Sequence, residues 1–431
     1  MHSSLSSSTR RAFLRTGGFL TASLALGRAP SLQGAESPLR RVRVGVMGLG
    51  RGRDHVNAFL QVPGVEVAWV CDVDERRLAP AAKAVSDKTG NKPRTARDFR
   101  RMLEDPELDA VSIATPNFWH APATLLACAA GKHVYVEKPG SHNAQEAEWM
   151  VAAARIHRRH VQMGNQRRSL PEVREAIQHL REGEIGTVRS ARCWYSAARP
   201  GIGRGQPAPV PPWLDYTLWQ GPLPGRPFVD NLIHYNWHWR WFWGGGELAN
   251  NGIHTLDLAR WGLGVGHPMR VGAVGGRYAF EDDQETPDTL FATYDFGHCA
   301  AVWDGSSCSP RKGEKLPLVT FYGDRGTLSI DDRSGYRVLD PEGRETRVVP
   351  GRFSDVPHFS NFVAAIRDEA ALNSAISEGQ VSTQLCHLGN IAWRTHAELQ
   401  VDPRSGRIVD ATRAMRRLWG REYRPGWHPR V

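Results

Sequence analysis

At 431 residues, with 41% apolar and 23% charged positions and a formal charge of +10, the chain has the make-up of a soluble protein of about two domains. No apolar run approaches the ~18 residues of a membrane span. The arginines are scattered rather than gathered into a basic stripe or zinc-finger spacing, which argues against a nucleic-acid partner.

Residues 1–38 read as an address followed by a linker. Arg10-Arg11 precede Phe13-Leu14 and a modest apolar stretch from Thr16 to Gly27, a pattern that resembles a twin-arginine export signal. It predicts passage through the twin-arginine machinery and a periplasmic or otherwise exported site of action. The segment carries a net +3 and leaves about +7 on the folded body.

Residues 39–168 read as a dinucleotide-binding domain. Val42, Val44 and Val46 form a predicted strand that runs straight into Gly48-Leu49-Gly50. Gly48 permits a tight turn, and Gly50 lets backbone approach a diphosphate. A helix starting near Asp54 offers free N–H groups to the same anion. The third glycine of GxGxxG is replaced by Arg53, with Gly52 beside it, so either helix and strand pack slightly differently there or Gly52 takes over the close approach. Gly48, Gly50, Arg51, Gly52 and Arg53 are the candidate phosphate-binding turn. "VEVAWVCDVD" is a second strand ending at Asp72. A carboxylate there accepts from ribose hydroxyls and repels a 2′-phosphate. It favours NAD over NADP, although Arg76 and Arg77 close by act the other way. Further strands end at Thr115-Pro116, at Glu137-Lys138-Pro139 and before Asn165-Gln166. Ligands of open α/β sheets bind at that edge. Thr115, Pro116, Asn117, His120, Glu137, Lys138 and Gln166 join Asp72 as candidate cofactor contacts.

Residues 169–400 read as an α+β domain. "VRSARCWYSA" alternates as a strand does. Residues 199–229 form a Pro/Gly-rich excursion expected to wrap over a cleft. Trp237, Trp239, Trp241 and Trp243 repeat with period two, so in an extended segment they would share one face. Such a face suits a sugar pocket, a subunit contact or a contact with the Pro-rich excursion. "GELANNGIHTLDLARWGLG" reads as a helix from about Glu247 to Trp261 on which Asn250, His254 and Asp257 share a face. Strands over residues 268–340 predict a large, mostly antiparallel sheet. Two late amphipathic helices are expected to pack back on the first domain, before a tail over 401–431. His234 and His238 lack the partners of a known ligand set, and no metal is expected. The six cysteines form no CxxC pair; Cys299 with Cys308 is the one candidate bridge, between adjacent strands.

Gly48-Leu49-Gly50, Thr115-Pro116-Asn117 with His120, Gly131 through Pro139, and Gly244-Gly245-Gly246 through His254 and Asp257 resemble the glucose-fructose oxidoreductase, inositol dehydrogenase and MocA family over roughly residues 42–400. The resemblance implies a nicotinamide-dependent enzyme acting on a sugar, polyol or glycoside. It also places Lys138 and His254 at the family's working motif positions. His254 is suited to accept the hydroxyl proton, and the Lys138 ammonium to favour the developing alkoxide. Asn250 stands where the family often has Asp and can position a hydroxyl. Asp257 is expected to orient His254 or touch substrate. Some relatives recycle a bound cofactor, and others use transient oxidation at ring carbon 3 to break a glycosidic bond. An exported enzyme has little free nicotinamide cofactor around it, so NAD is expected to be held tightly. A homodimer or homotetramer is expected from the broad second sheet.

Overall fold

The computed structural model describes residues 41–311, 313–314 and 316–427. The twin-arginine stretch lies outside the described residues.

The first domain is a six-stranded parallel sheet of β1 (Val42–Met47), β2 (Val65–Cys71), β3 (Arg94–Ala96), β4 (Ala110–Ile113), β5 (His133–Val136) and β6 (Val161–Met163). Its order is β3-β2-β1-β4-β5-β6, the doubly wound arrangement of dinucleotide-binding folds. β1 and β4 are buried almost throughout, as strands covered on both faces must be. The covering helices are α1 (Gly52–Phe59), α2 (Glu75–Thr89), α3 (Arg100–Leu103), α4 (Asn117–Ala129) and α5 (Ala144–Ile156). Helix α1 starts two residues before the Asp54 expected from sequence.

The second domain carries α6 (Pro171–Glu182), α7 (Tyr216–Gln220) and α8 (Ile253–Leu263). Its nine strands are β7 (Val188–Ser196), β8 (Arg270–Gly276), β9 (Thr289–Asp295), β10 (Ala300–Ser306), β11 (Val319–Gly323), β12 (Gly326–Ile330), β13 (Tyr336–Leu339), β14 (Glu345–Val349) and β15 (Leu399–Gln400). Their order is β14-β13-β12-β11-β7-β10-β9-β8-β15. Every pairing is antiparallel except β7 with β10. Helices α6 and α8 pack on one face, while Val274, Phe291 and Tyr322 remain exposed.

Two further helices join the halves. In α9 (Val356–Ile366), Phe359 is fully buried and stacks on Tyr135 of β5 at 4.2 Å. A buried phenylalanine contributes about 1.5–3 kcal/mol. Helix α10 (Ile376–Thr395) packs on α5 and β6 of the first domain and on α8 and β8 of the second. A short α11 (Arg413–Trp419) precedes a tail whose Trp427 meets Trp119 of α4 edge to face.

Two sequence expectations fail here. Cys299 and Cys308 are free. They flank opposite ends of the same strand, β10, which separates them by about 30 Å at normal strand rise. The tryptophan segment is not a strand either. It makes a 3-10 turn over Asn236–Trp239 and doubles back, so that a Cβ on Gly244 would sit 2.6 Å from the His238 carbonyl oxygen. The four rings therefore diverge. Trp237 stacks on His238 at 3.6 Å, Trp243 packs on Phe118 and Trp219, Trp239 lies beneath Arg199, and Trp241 faces Trp393.

Candidate active site

A cavity of about 690 Å³ runs along the carboxyl edge of the first sheet and is closed by residues of the second domain. It is lined by Gly48, Gly50, Asp72, Thr115, Pro116 and Asn117 on one side and by Glu137, Lys138, Gln166 and His254 on the other, with Arg51 joining the two through Glu137. The sequence places all of these at strand ends, apart from His254, and the fold brings them into one space.

The glycine turn is shaped for close approach. Gly48 has φ +84°, and a Cβ there would lie 2.6 Å from the Ala114 carbonyl oxygen. Gly50 faces the cavity, where only the flexible Arg77 guanidinium comes near its missing Cβ. Gly52 is buried, its missing Cβ 3.0 Å from Val46, so it does replace the third glycine as the packing contact between helix and strand. Arg53 is exposed and is not among the residues that line the cavity. Asp72 accepts from Leu49 N at 2.6 Å and Asp74 N at 2.8 Å. Burial pushes its carboxyl above the ordinary range against these hydrogen bonds. A bare glycine cradle followed by an inward-facing carboxylate fits a dinucleotide.

Glu137 is the hub of the opposite end. It accepts from Gln166 at 3.0 Å, from Arg51 at 3.3 Å and from the Lys138 backbone N–H at 3.0 Å, and meets His55 Nε2 at 3.0 Å. Although burial opposes the charge, the His55 contact and the Arg51 guanidinium hold its carboxyl well below the usual value. Arg51 also grips Asp355 at the start of α9 at 2.8 Å, which ties the glycine turn to the late helix.

Lys138 Nζ donates to Asn250 through its carbonyl oxygen at 2.8 Å and its side-chain oxygen at 3.1 Å. Burial lowers its pKa from the ordinary 10.5. His254 faces the same cavity. Burial, together with the nearby Lys138 and Arg167 cations, holds its imidazole well below the ordinary 6.5, so it is neutral at neutral pH. Asn250 sits on a π-helical turn, Leu248–Gly252, that precedes α8. The expected single α-helix from Glu247 is therefore widened at its first turn, a distortion common at functional sites.

Besides Gly52 and Arg53, three expected site residues do not line the cavity: Asp257, His120 and Asn250, the last of which reaches it only through Lys138. Asp257 faces away from His254 and forms a buried fork-to-fork pair with Arg168, at 2.8–3.1 Å, plus a bond from Ser382 at 2.6 Å. Its position three residues after His254 counts for less than the arginine waiting on the other side. His120 is buried behind the wall, its ring nitrogens 2.6 Å from the Pro139 carbonyl and 2.9 Å from that of Thr115. It buttresses two strand-end loops rather than lining the groove.

Arg77, expected near the ribose, does line the cavity, and several lining residues were not foreseen: Arg97, Trp119, Arg167, Tyr235 and Phe353. Arg167 follows Gln166 directly and so had a visible signal. The excursion supplies Leu218 and Trp219 to the wall, as a cover for the cleft would. It is buttoned to the corner after β2 by Glu75 N to Trp213 O at 3.1 Å and Asp215 N to Val73 O at 3.0 Å.

Comparison with known proteins agrees with this geometry. Residues 42–165 match the oxidoreductase family, NAD-binding Rossmann fold, and residues 194–428 match that family's C-terminal alpha/beta domain. A glycosyl hydrolase family 109 protein of Saccharopolyspora erythraea is 33% identical over 202 residues, 42% of this chain and 44% of that protein. The chain thus spans about half the length of the curated relatives it matches. The fold is shared with aldose-aldose oxidoreductase of Caulobacter crescentus, solved with glycerol, at TM-score 0.66 and 20% identity. The alignment covers 84% of this chain and 100% of that one. Levoglucosan dehydrogenase, solved with NADH and levoglucosan, shares it at TM-score 0.66 and 20% identity, covering 84% and 99%. With the glycine cradle of its NAD-binding Rossmann domain and a strand-end lysine beside the helix histidine, the chain belongs to the Gfo/Idh/MocA oxidoreductase family.

Proposed function

We propose that this protein oxidises a sugar, polyol or glycoside with a tightly held NAD. The observation that carries the reading is one cavity holding both the glycine cradle and the Lys138–His254 pair. Bound NAD supplies the hydride acceptor. Lys138 has a third N–H left beyond Asn250, and it donates to the hydroxyl oxygen and favours the alkoxide. His254, neutral because of its surroundings, accepts the hydroxyl proton. The excursion over the cleft keeps water and cofactor from exchanging freely.

A second reading is favoured by the family 109 relatives. Transient oxidation at ring carbon 3 acidifies the neighbouring C–H and permits elimination of the aglycone, with no net change in cofactor. The basic leader supports export by the twin-arginine route with the cofactor already in place. The uncovered sheet face with Val274 and Phe291 supports a homodimer or homotetramer. The test starts from full-length protein purified without added nucleotide, which is denatured and its released nucleotide identified by mass. Stoichiometric NAD is expected, and protein that neither carries nor binds it overturns the reading. Aglycone release from nitrophenyl glycosides without NADH build-up selects the second reading over the first.

A further inference from the structure

Arg167 and Arg168 are neighbours on one 3-10 turn, Gln166–Ser169, yet their surroundings differ. Arg168 is saturated by Asp257. Arg167 lines the cavity beside Lys138 and His254, and among the described residues no carboxylate lies within 4 Å of it. Its Nη2 donates to the Asp332 carbonyl at 3.3 Å, and its Nε is buried without a partner. Asp332, Asp355 and Asp331 act on it only at longer range, and burial lowers its pKa to about 10. Phe353 lies under the guanidinium at 5.0 Å and holds it in the cavity wall.

The rest of that end has no anion to spare. Glu137 is committed to Arg51, His55 and Gln166. Lys138 rests on two neutral oxygens of Asn250. Lys138 and Arg167 thus face the cavity with no carboxylate hydrogen-bonded to either side chain among the described residues; Glu137 and Glu247 act on Lys138, and the three aspartates on Arg167, only through space. A buried charged donor left unpaired is costly, and a neutral polyol would leave it so.

Resting on the proposed carbohydrate reading, we propose that the substrate carries a carboxylate, seated on Arg167 while Lys138 and His254 address a ring hydroxyl: a uronic or other sugar acid, free or glycosidic. One planar donor fork matches one planar carboxylate. A phosphate ester would ask for a second cation, and the one N–H that Lys138 has left beyond Asn250 goes to the reacting hydroxyl.

The test is calorimetric binding to full-length, NAD-loaded protein, with parallel NADH absorbance. Its probes are D-glucuronate, D-galacturonate and D-mannuronate, the matching hexoses, and the hexose 6-phosphates. At least one hexuronate is expected to bind about tenfold or more tightly than its hexose. Arg167→Gln should abolish that advantage, and Arg167→Lys should keep part of it. A structural role for Arg167 would weaken acid and hexose alike. Equal or tighter binding of every hexose, or preference for a 6-phosphate, overturns the carboxylate and leaves sugar oxidation standing. Failure of all three classes to bind or be oxidised sinks the proposed function, and this inference with it. The wild-type comparison decides the matter even where a variant fails to fold.

Discussion

Lys138 reaches across from the first domain to place its ammonium 2.8 Å from the carbonyl oxygen of Asn250 and 3.1 Å from its side-chain oxygen. The π turn holds an amide, not a carboxylate, against a buried amine. Burial is then the largest influence on Lys138, and its pKa falls from 10.5. An amine is charged below its pKa, so the alkaline limb of kcat/KM against pH should lie below 10.5. Asn250→Asp adds an opposite charge and should move that limb up by about 1–3 units. A pH profile of the two proteins with the same substrate checks it; an unmoved limb would remove Lys138 from the titration.

His254 titrates at the other end. Its pKa is held well below 6.5 by burial and by the Lys138 and Arg167 cations, and it must be neutral to accept a proton. The acid limb should therefore fall below pH 6.5. His254→Ala should lower kcat by about 10²–10⁴ while bound NAD, measured on the denatured protein, stays at the wild-type level. Loss of nucleotide along with activity would instead mark His254 as part of the cofactor site.

Asp257 offers the contrasting case. It is buried with Arg168 and Ser382 and touches nothing in the cavity. Asp257→Asn leaves Arg168 buried without its counter-charge and should cost about 3–5 kcal/mol of stability, read by urea unfolding. The carboxyl is held below 3.8 in the fold despite burial, by Arg168. The unfolded chain therefore binds the proton more readily. The pair's contribution is fully present above pH 3.8 and fades as pH falls through the lowered folded value. The stability curve of Asp257→Asn should be flatter there, and its folded fraction should keep most of its turnover.

Asp257 also shows how far sequence periodicity reaches. The strands that end in Gly48, Asp72, Thr115 and Glu137 were legible because buried parallel strands are continuous apolar runs with polar ends. The second sheet was legible from alternation; the exposed β14, the two-residue β15 and, in the first sheet, the three-residue β3 were not, since little is buried there to mark them. Helical spacing put Asp257 on the face of His254, but spacing does not reveal a partner from another element, here Arg168. The tryptophan period looked like a strand because alternation carries no information about the Gly244 reversal. Arg167 and Phe353, far apart in sequence, meet only once the second sheet is folded.

Gly48 and Gly50 should respond differently to the same added methyl group. At Gly48 the φ of +84° and the rigid Ala114 carbonyl 2.6 Å away leave no room. Gly48→Ala should cost more than the roughly 1–2 kcal/mol of the left-handed backbone alone, lowering both Tm and NAD content. At Gly50 the nearest atom is the mobile end of Arg77. Gly50→Ala should keep a near-wild-type Tm and lose nucleotide affinity only. Thermal unfolding and nucleotide content, measured together, separate the two.

The cover over the cleft hangs on Asp74. This buried carboxylate accepts from Arg76 at 2.8–3.1 Å and meets His234 Nε2 at 3.0 Å. Arg76 in turn lies 3.3 Å over the Trp213 ring. Both Trp213 and His234 belong to the stretch that closes the cavity, and the corner they grip is two residues from Asp72. Asp74→Ala removes the His234 contact and loosens Arg76 over Trp213, while the backbone bonds of Trp213 and Asp215 stay in place and Lys138 and His254 are untouched. Each lost charge-assisted bond is worth about 1.5–3 kcal/mol, so NAD should leave at least about tenfold faster, with the single-turnover rate of the loaded enzyme unchanged. Stopped-flow displacement of bound NADH by excess NAD reads the first quantity, and rapid mixing with substrate the second. An unchanged dissociation rate would mean that the excursion is a wall of the site and not its clasp.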